Sequence, residues 1–154
     1  MTQQMIEEYA RGGPRLKEAL AGLSAPDLLA TPVPGTWSIQ QIVLHLMDSD
    51  LIASDRMKRI IAEDGPTIVG YSESAFAQKL FYDQQDPAVA AQIFELNRRL
   101  TAEILRRLPE SAFARTGTHN ERGRMSLREI VGMYVQHLEH HLRFLRHKRQ
   151  LLGK

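Results

Sequence analysis

The 154-residue chain is 43% hydrophobic and 25% charged, with a formal net charge of only +2; this balance fits one globular domain with a single core and excludes disordered and fibrous classes. The excess positive charge is too small and too local to argue for nucleic acid, being gathered at Arg143, Arg146, Lys148, Arg149 and Lys154 at the C-terminal end. Absence of cysteine rules out disulfides, thiolate zinc sites and a cysteine nucleophile.

Helical periodicity dominates, and no segment alternates as a strand does. The first helix is expected from about Met5 to Leu23, with a bend or a late start at Gly12-Gly13-Pro14. Ser24 caps a short turn through Ala30, and the two prolines and glycine of residues 31–36 fix a loop. The second helix opens at Trp37-Ser38, where Ser38 and Gln41 have capping-box spacing, and runs to about Glu63 before Asp64-Gly65-Pro66 stops it. Residues 65–85 form a long connection with a short helix around Ser74 to Leu80; connections of this length are uncommon unless they form a lid or a binding loop. The third helix starts at Asp86-Pro87 and ends near Leu108-Pro109. A polar loop, residues 114–124, precedes the fourth helix, about Leu127 to Leu151, opened by the capping-box pair Ser126 and Glu129. The expected fold is all-α: a single-domain four-helix bundle over residues 1–154, of either up-down or crossover topology.

Four of the six histidines fall within residues 134–149. On the fourth helix Leu127, Val131, Tyr134, Leu138, His141 and Leu145 form the apolar stripe, and His137 lies four residues before His141 on the same face. Such a pair can share one metal ion, or can be two half-buried histidines with ordinary hydrogen bonds. His140 and His147 point to the flank or to solvent. On the second helix His45 sits at the edge of the stripe Ile39, Ile42/Val43, Leu46, Ala53, Met57 and Ile60, with Asp48 and Ser49 on the same side. Polar groups there need partners, and a metal held with His137 and His141 is one candidate; a surface position for His45 is the other. Three imidazoles with an open position would make the catalytic type of site and suit zinc, nickel, copper or iron.

The string Trp37-Ser38-Ile39, His45 and Asp48-Ser49, followed by Tyr134, His137 and His140-His141, resembles the signatures of the DinB-like metalloenzyme superfamily. Pro66-Thr67-Ile68 with Tyr71, Glu73, Phe76 and Ala77, and Phe113 with His119-Asn120-Glu121, Gly123 and Ser126-Leu127, resemble its bacillithiol-transferase-like subgroup. The resemblance implies a bundle with a divalent metal, zinc or nickel, on His45, His137 and His141. It implies activity as a low-molecular-weight-thiol S-transferase or hydrolase, with a thiol cosubstrate, a small-molecule substrate and a homodimer; a cytoplasmic setting is expected separately, from the character of the N-terminus and the lack of a membrane-length apolar run. Asp48 and Tyr134 are the candidate catalytic or ligand-orienting residues. Trp37, Tyr71, His119, Glu121 and His140 are pocket candidates, the loop residues among them read as exposed. Asn120, Gln136 and Phe76 depart from the subgroup's proline and two tryptophans, which bears on substrate rather than on ligands. The alternative from a different class is a non-catalytic, metal-stabilised stress-response or interaction module. With no apolar run of membrane-spanning length and a polar MTQQMIEEYA at the N-terminus, neither a membrane nor a secretory signal is expected.

Overall fold

A computed structural model describes residues 1–154. Local capping chemistry sets the helix starts. Ser38 Oγ accepts from Gln41 N at 3.1 Å while Gln41 Oε1 accepts from Ser38 N at 2.9 Å, opening α4, Ile39–Ala62. The Ser126–Glu129 pair does the same for α7, Leu127–Leu151. Asp86 Oδ1 accepts from Ala88 N at 2.8 Å ahead of Pro87, which begins α6, Pro87–Arg106. The fourth bundle element is a broken helix, α1 Thr2–Ala10 and α2 Gly12–Leu20. Pro14 has no N–H to offer the Ala10 carbonyl, so the ladder fails there and the chain bends at Arg11. Gly12 and Gly13 bring α2 close to α6, where a methyl on Gly13 would lie 2.8 Å from Glu95 Cα. Shorter helices are α3, Ala25–Leu29, and α5, Glu73–Lys79.

The bundle is not a simple up-down array. α4 packs mainly on α6 and α7, and α1–α2 pack mainly on the same two helices. The first and second bundle elements, α1–α2 and α4, therefore stand diagonally across the bundle, as do the third and fourth, α6 and α7, so those two connections cross its ends, whereas α4 and α6 are neighbours.

One expectation from the sequence needs correction: the chain does contain strands. β1 (Thr67–Ile68) lies parallel to β2 (Thr116–His119), and β2 pairs antiparallel with β3 (Gly123–Ser126). The loop read as irregular at 114–124 is largely this hairpin, and the 65–85 connection supplies its third strand. The strands span only two to four residues and carry glycine and threonine, so no alternation announces them.

Two apolar clusters fill the interior. One gathers Ile39 to Met47, Phe94 and Leu138 to Leu145; the other gathers Ile6, Tyr9, Ala53 to Ile60, Ala102, Leu105 and Leu127 to Tyr134. Between their levels lies a buried ion pair, Asp50 on α4 with Arg98 on α6. Arg98 Nε and Nη2 donate to Asp50 Oδ1 at 3.0 and 2.9 Å, Nη2 also donates to the Tyr134 carbonyl at 2.9 Å, and Nη1 donates to the Tyr9 carbonyl at 3.2 Å. One guanidinium thus ties all four bundle elements together.

Candidate metal centre

His45 occupies the second turn of α4, and His137 and His141 occupy successive turns of α7, which packs against it. His45 is fully buried, not at the edge or the surface, because α7 and Trp37 cover it. The Trp37 ring lies 4.9 Å from the His45 ring. The imidazoles of His45 and His137 stand 5.1 Å apart, those of His45 and His141 4.7 Å, and those of His137 and His141 4.6 Å. Each ring offers one nitrogen, and these three nitrogens lie within 4.8 Å of one another. His45 Nε2 faces His137 Nε2 at 3.1 Å. Two ligand nitrogens on one tetrahedral zinc, each at about 2.0–2.1 Å from the ion, stand roughly 3.3 Å apart, so the His45–His137 pair already has the spacing for a single divalent ion, while the wider separations in the set, up to 4.8 Å, would close as the rings move in on it.

Burial is the main force holding these rings neutral, reinforced by repulsion between neighbouring imidazoles. It pushes His45 and His137 down to about 3 and His141 down to about 4. Neutral imidazole is the form that binds a metal. Below the ordinary histidine value of about 6.5 the unfolded chain takes up protons that the folded chain refuses, so stability rises with pH across this window and is lost as pH falls. For metal-free protein the expected loss between pH 6.5 and 5.5 is on the order of 1 kcal/mol per histidine. Urea unfolding at the two pH values reads it directly; an unchanged midpoint contradicts it.

The surroundings sort the other candidates. A cleft of about 390 Å³ opens beside the three rings and reaches them through His137. Tyr134, Tyr71, His119, Glu121 and His140 line it; Trp37 does not, facing instead a separate recess with Ala77 and Asp83. His119, expected on an exposed loop, is buried at the end of β2, and its Nδ1 accepts from the backbone N–H groups of Glu121 and Arg122. Tyr71 is half-buried, whereas Glu121 and His140 are exposed. The Tyr134 ring lies 5.5 Å from His137, and its hydroxyl accepts from Arg56 Nη1 at 3.3 Å. Asp48 turns towards Tyr82, whose hydroxyl donates to Asp48 Oδ2 at 2.6 Å, while His45 Nδ1 has no partner at all. Asp48 therefore does not orient the buried imidazole.

Four residues were not foreseen: Arg56 in the cleft, and Tyr82, Arg98 and Asp50 in the core. Arg98 carried a signal, since it falls four residues from both Phe94 and Ala102 on the buried stripe of α6. Asp50 likewise falls between Leu46 and Ala53 on the buried stripe of α4.

The DinB superfamily pattern matches residues 8–145. The chain belongs to the DinB superfamily. Among DinB relatives, a protein of Oceanobacillus iheyensis is 32% identical over 128 residues, covering 82% of this chain and 73% of the relative, and is provisionally named a metal-dependent hydrolase. YfiT of Bacillus subtilis, provisionally named in the same way, is 31% identical over 141 residues, covering 90% of this chain and 77% of its own. The solved YfiT structure superposes with a TM-score of 0.92 at 24% identity, covering 99% of this chain and 87% of that one, and is described as an unusual four-helix bundle topology. That likeness establishes the fold of this chain.

Proposed function

We propose that this DinB chain is a metal-dependent enzyme whose ion is held by His45, His137 and His141, acting on a small molecule by hydrolysis or by transfer of a low-molecular-weight thiol. The observation that carries the reading is the convergence of three buried or half-buried neutral imidazoles within 4.8 Å at the edge of a cleft. The provisional names of the relatives support the hydrolytic branch. Support for the thiol branch is the resemblance of residues 66–77 and 113–127 to thiol transferases, together with a chain that has no sulfur nucleophile of its own.

A divalent ion, zinc or nickel, supplies Lewis acidity that lowers the pKa of a coordinated water or thiol towards neutrality. The protein contributes the rest. α4 and α7 hold the imidazoles, and burial keeps them unprotonated. Trp37 covers the His45 ring on its outer side and excludes water there. Tyr134 accepts from Arg56, which leaves its own hydroxyl proton free to donate into the cleft beside His137. Tyr71 stays protonated, pushed up to about 12 chiefly by burial, and is a second donor in the same cleft.

Untagged protein loaded with zinc or nickel, and the same protein stripped by chelator, should be assayed on a chromogenic ester and on an electrophile with an added thiol. Metal-dependent turnover in either assay is the expected result, and which assay responds selects the branch. Metal uptake without turnover of any ester or thiol pair points instead to the metal-stabilised module.

A further inference from the structure

Arg56 stands in the cleft with no anionic partner. It is half-buried on α4, on the same face as His45 and Ser49, and it takes part in no ion pair. Its guanidinium is nonetheless held from two sides: Nη1 donates to the Tyr134 hydroxyl at 3.3 Å and Nη2 donates to the Val69 carbonyl at 2.6 Å. Further N–H groups remain, and Nε is buried without an acceptor. Tyr71 presents a second orphan in the same cleft. Its buried hydroxyl lies near Ser49 without reaching hydrogen-bond geometry. Buried donors without acceptors are uncommon in folded proteins and call for an explanation. Two in one cleft, one on a fixed and unpaired cation, are explained by an acceptor that arrives from outside.

We propose that Arg56 and Tyr71 form a seat for the carboxylate of a small ligand whose far end reaches the three histidines. The far end rests on the metal-site reading; the carboxylate seat stands on its own observations. Guanidinium groups match carboxylates in shape and form charge-assisted hydrogen bonds. Here the guanidinium is already positioned, so little side-chain entropy remains to be lost on binding. Only the Tyr134 ring separates Arg56 from His137, so the ligand is short, a chain of a few carbons. The exposed carboxylates of Glu73 and Glu121 also line the cleft and balance Arg56 and the exposed Arg122, so the lining carries no excess positive charge to hold a polyanion, which makes a monocarboxylate the fitting class.

Nitrogen-15 NMR titrations with butyrate and with butyramide, on protein as purified and after chelator treatment, test the seat. Butyrate is expected to bind about tenfold tighter than the amide, the scale of one charge-assisted hydrogen bond, and to shift the Arg56 Nε–H resonance. Arg56→Met should abolish the preference, and Arg56→Lys should restore part of it. Tyr71→Phe, which keeps the ring and its packing, should narrow the preference and carries the test if Arg56→Met fails to fold. Equal binding of acid and amide by the wild type overturns the proposal, as does a preference that survives both Arg56→Met and Tyr71→Phe. Metal content is read separately: protein that takes up no nickel yet prefers butyrate keeps the seat and loses the metal site.

Discussion

His45→Ala is expected to strip the divalent ion from the protein. His45 is the only one of the three imidazoles on α4, and it is the one that turns an i, i+4 pair on a single helix into a site between two helices. Removing a ligand should cost more affinity than the roughly 10–100-fold lost when a ligand's outer hydrogen-bond partner is removed. Elemental analysis of untagged protein after extensive dialysis is the measurement, with His140→Ala as the control. His140 is exposed and lies outside the three-nitrogen cluster, so its loss should leave stoichiometry unchanged. The same His45→Ala variant, metal-free, should lose part of the acid sensitivity expected of the wild type, because one group that resists protonation in the folded state has gone. One metal per chain retained in His45→Ala would break the cross-helix site.

Arg98→Met should be the most damaging single change in the bundle core. Arg98 and Asp50 are each 1% exposed. Methionine fills much of the arginine's volume, so the loss is of charge and hydrogen bonds rather than of packing. It leaves the Asp50 carboxylate buried with only Asn97 Nδ2, at 3.2 Å, still donating to it. Stranding one member of a buried pair costs about 3–5 kcal/mol. The guanidinium also stacks over Tyr9 and Phe94, at 4.5 and 4.6 Å from the ring centres, and those contacts go too. Burial already pushes the Asp50 carboxyl upward, with Arg98 opposing it. Without Arg98 the carboxyl rises further, so the deficit should shrink as the pH is lowered and Asp50 takes a proton. The double variant Asp50→Leu/Arg98→Met should recover most of the lost stability, since apolar replacements of buried pairs are often neutral or better. Chemical denaturation of the three variants decides the matter; a single-variant loss below about 1 kcal/mol contradicts the account.

The contrast between these residues shows what the sequence can and cannot reveal. Helix starts were legible because capping is local: Ser38 needs only Gln41, Ser126 needs only Glu129, and Asp86 needs only the residues that follow it. The His137–His141 spacing was legible because three or four residues on a helix share a face. His45 joins them from 92 residues away, and its stripe position suggested an edge where packing produced full burial. Asp50 and Arg98 lie 48 residues apart, and nothing in either helix names the other as its partner. The small sheet was hidden for a related reason: two residues of β1 form a strand only because β2 lies alongside, and β2 is nearly fifty residues further along the chain.

That sheet bears on how the cleft would admit a ligand. Tyr71 follows β1, His119 ends β2, and Glu121 and Arg122 occupy the turn between β2 and β3. Backbone pairing joins these segments: Thr118 N donates to the Pro66 carbonyl at 2.9 Å, and Asn120 N donates to the Ile68 carbonyl at 3.1 Å. Asn120 Oδ1 adds a further tie by accepting from Gly70 N at 2.8 Å. What looks in the sequence like two independent loops over the bundle end is a single plate. It can tilt only as a unit, and Arg56, reaching from α4 to the Val69 carbonyl, is a bolt that holds it down. With that pairing intact the aperture is set when the chain folds, and discrimination among ligands would fall to the side chains inside it rather than to a closing flap.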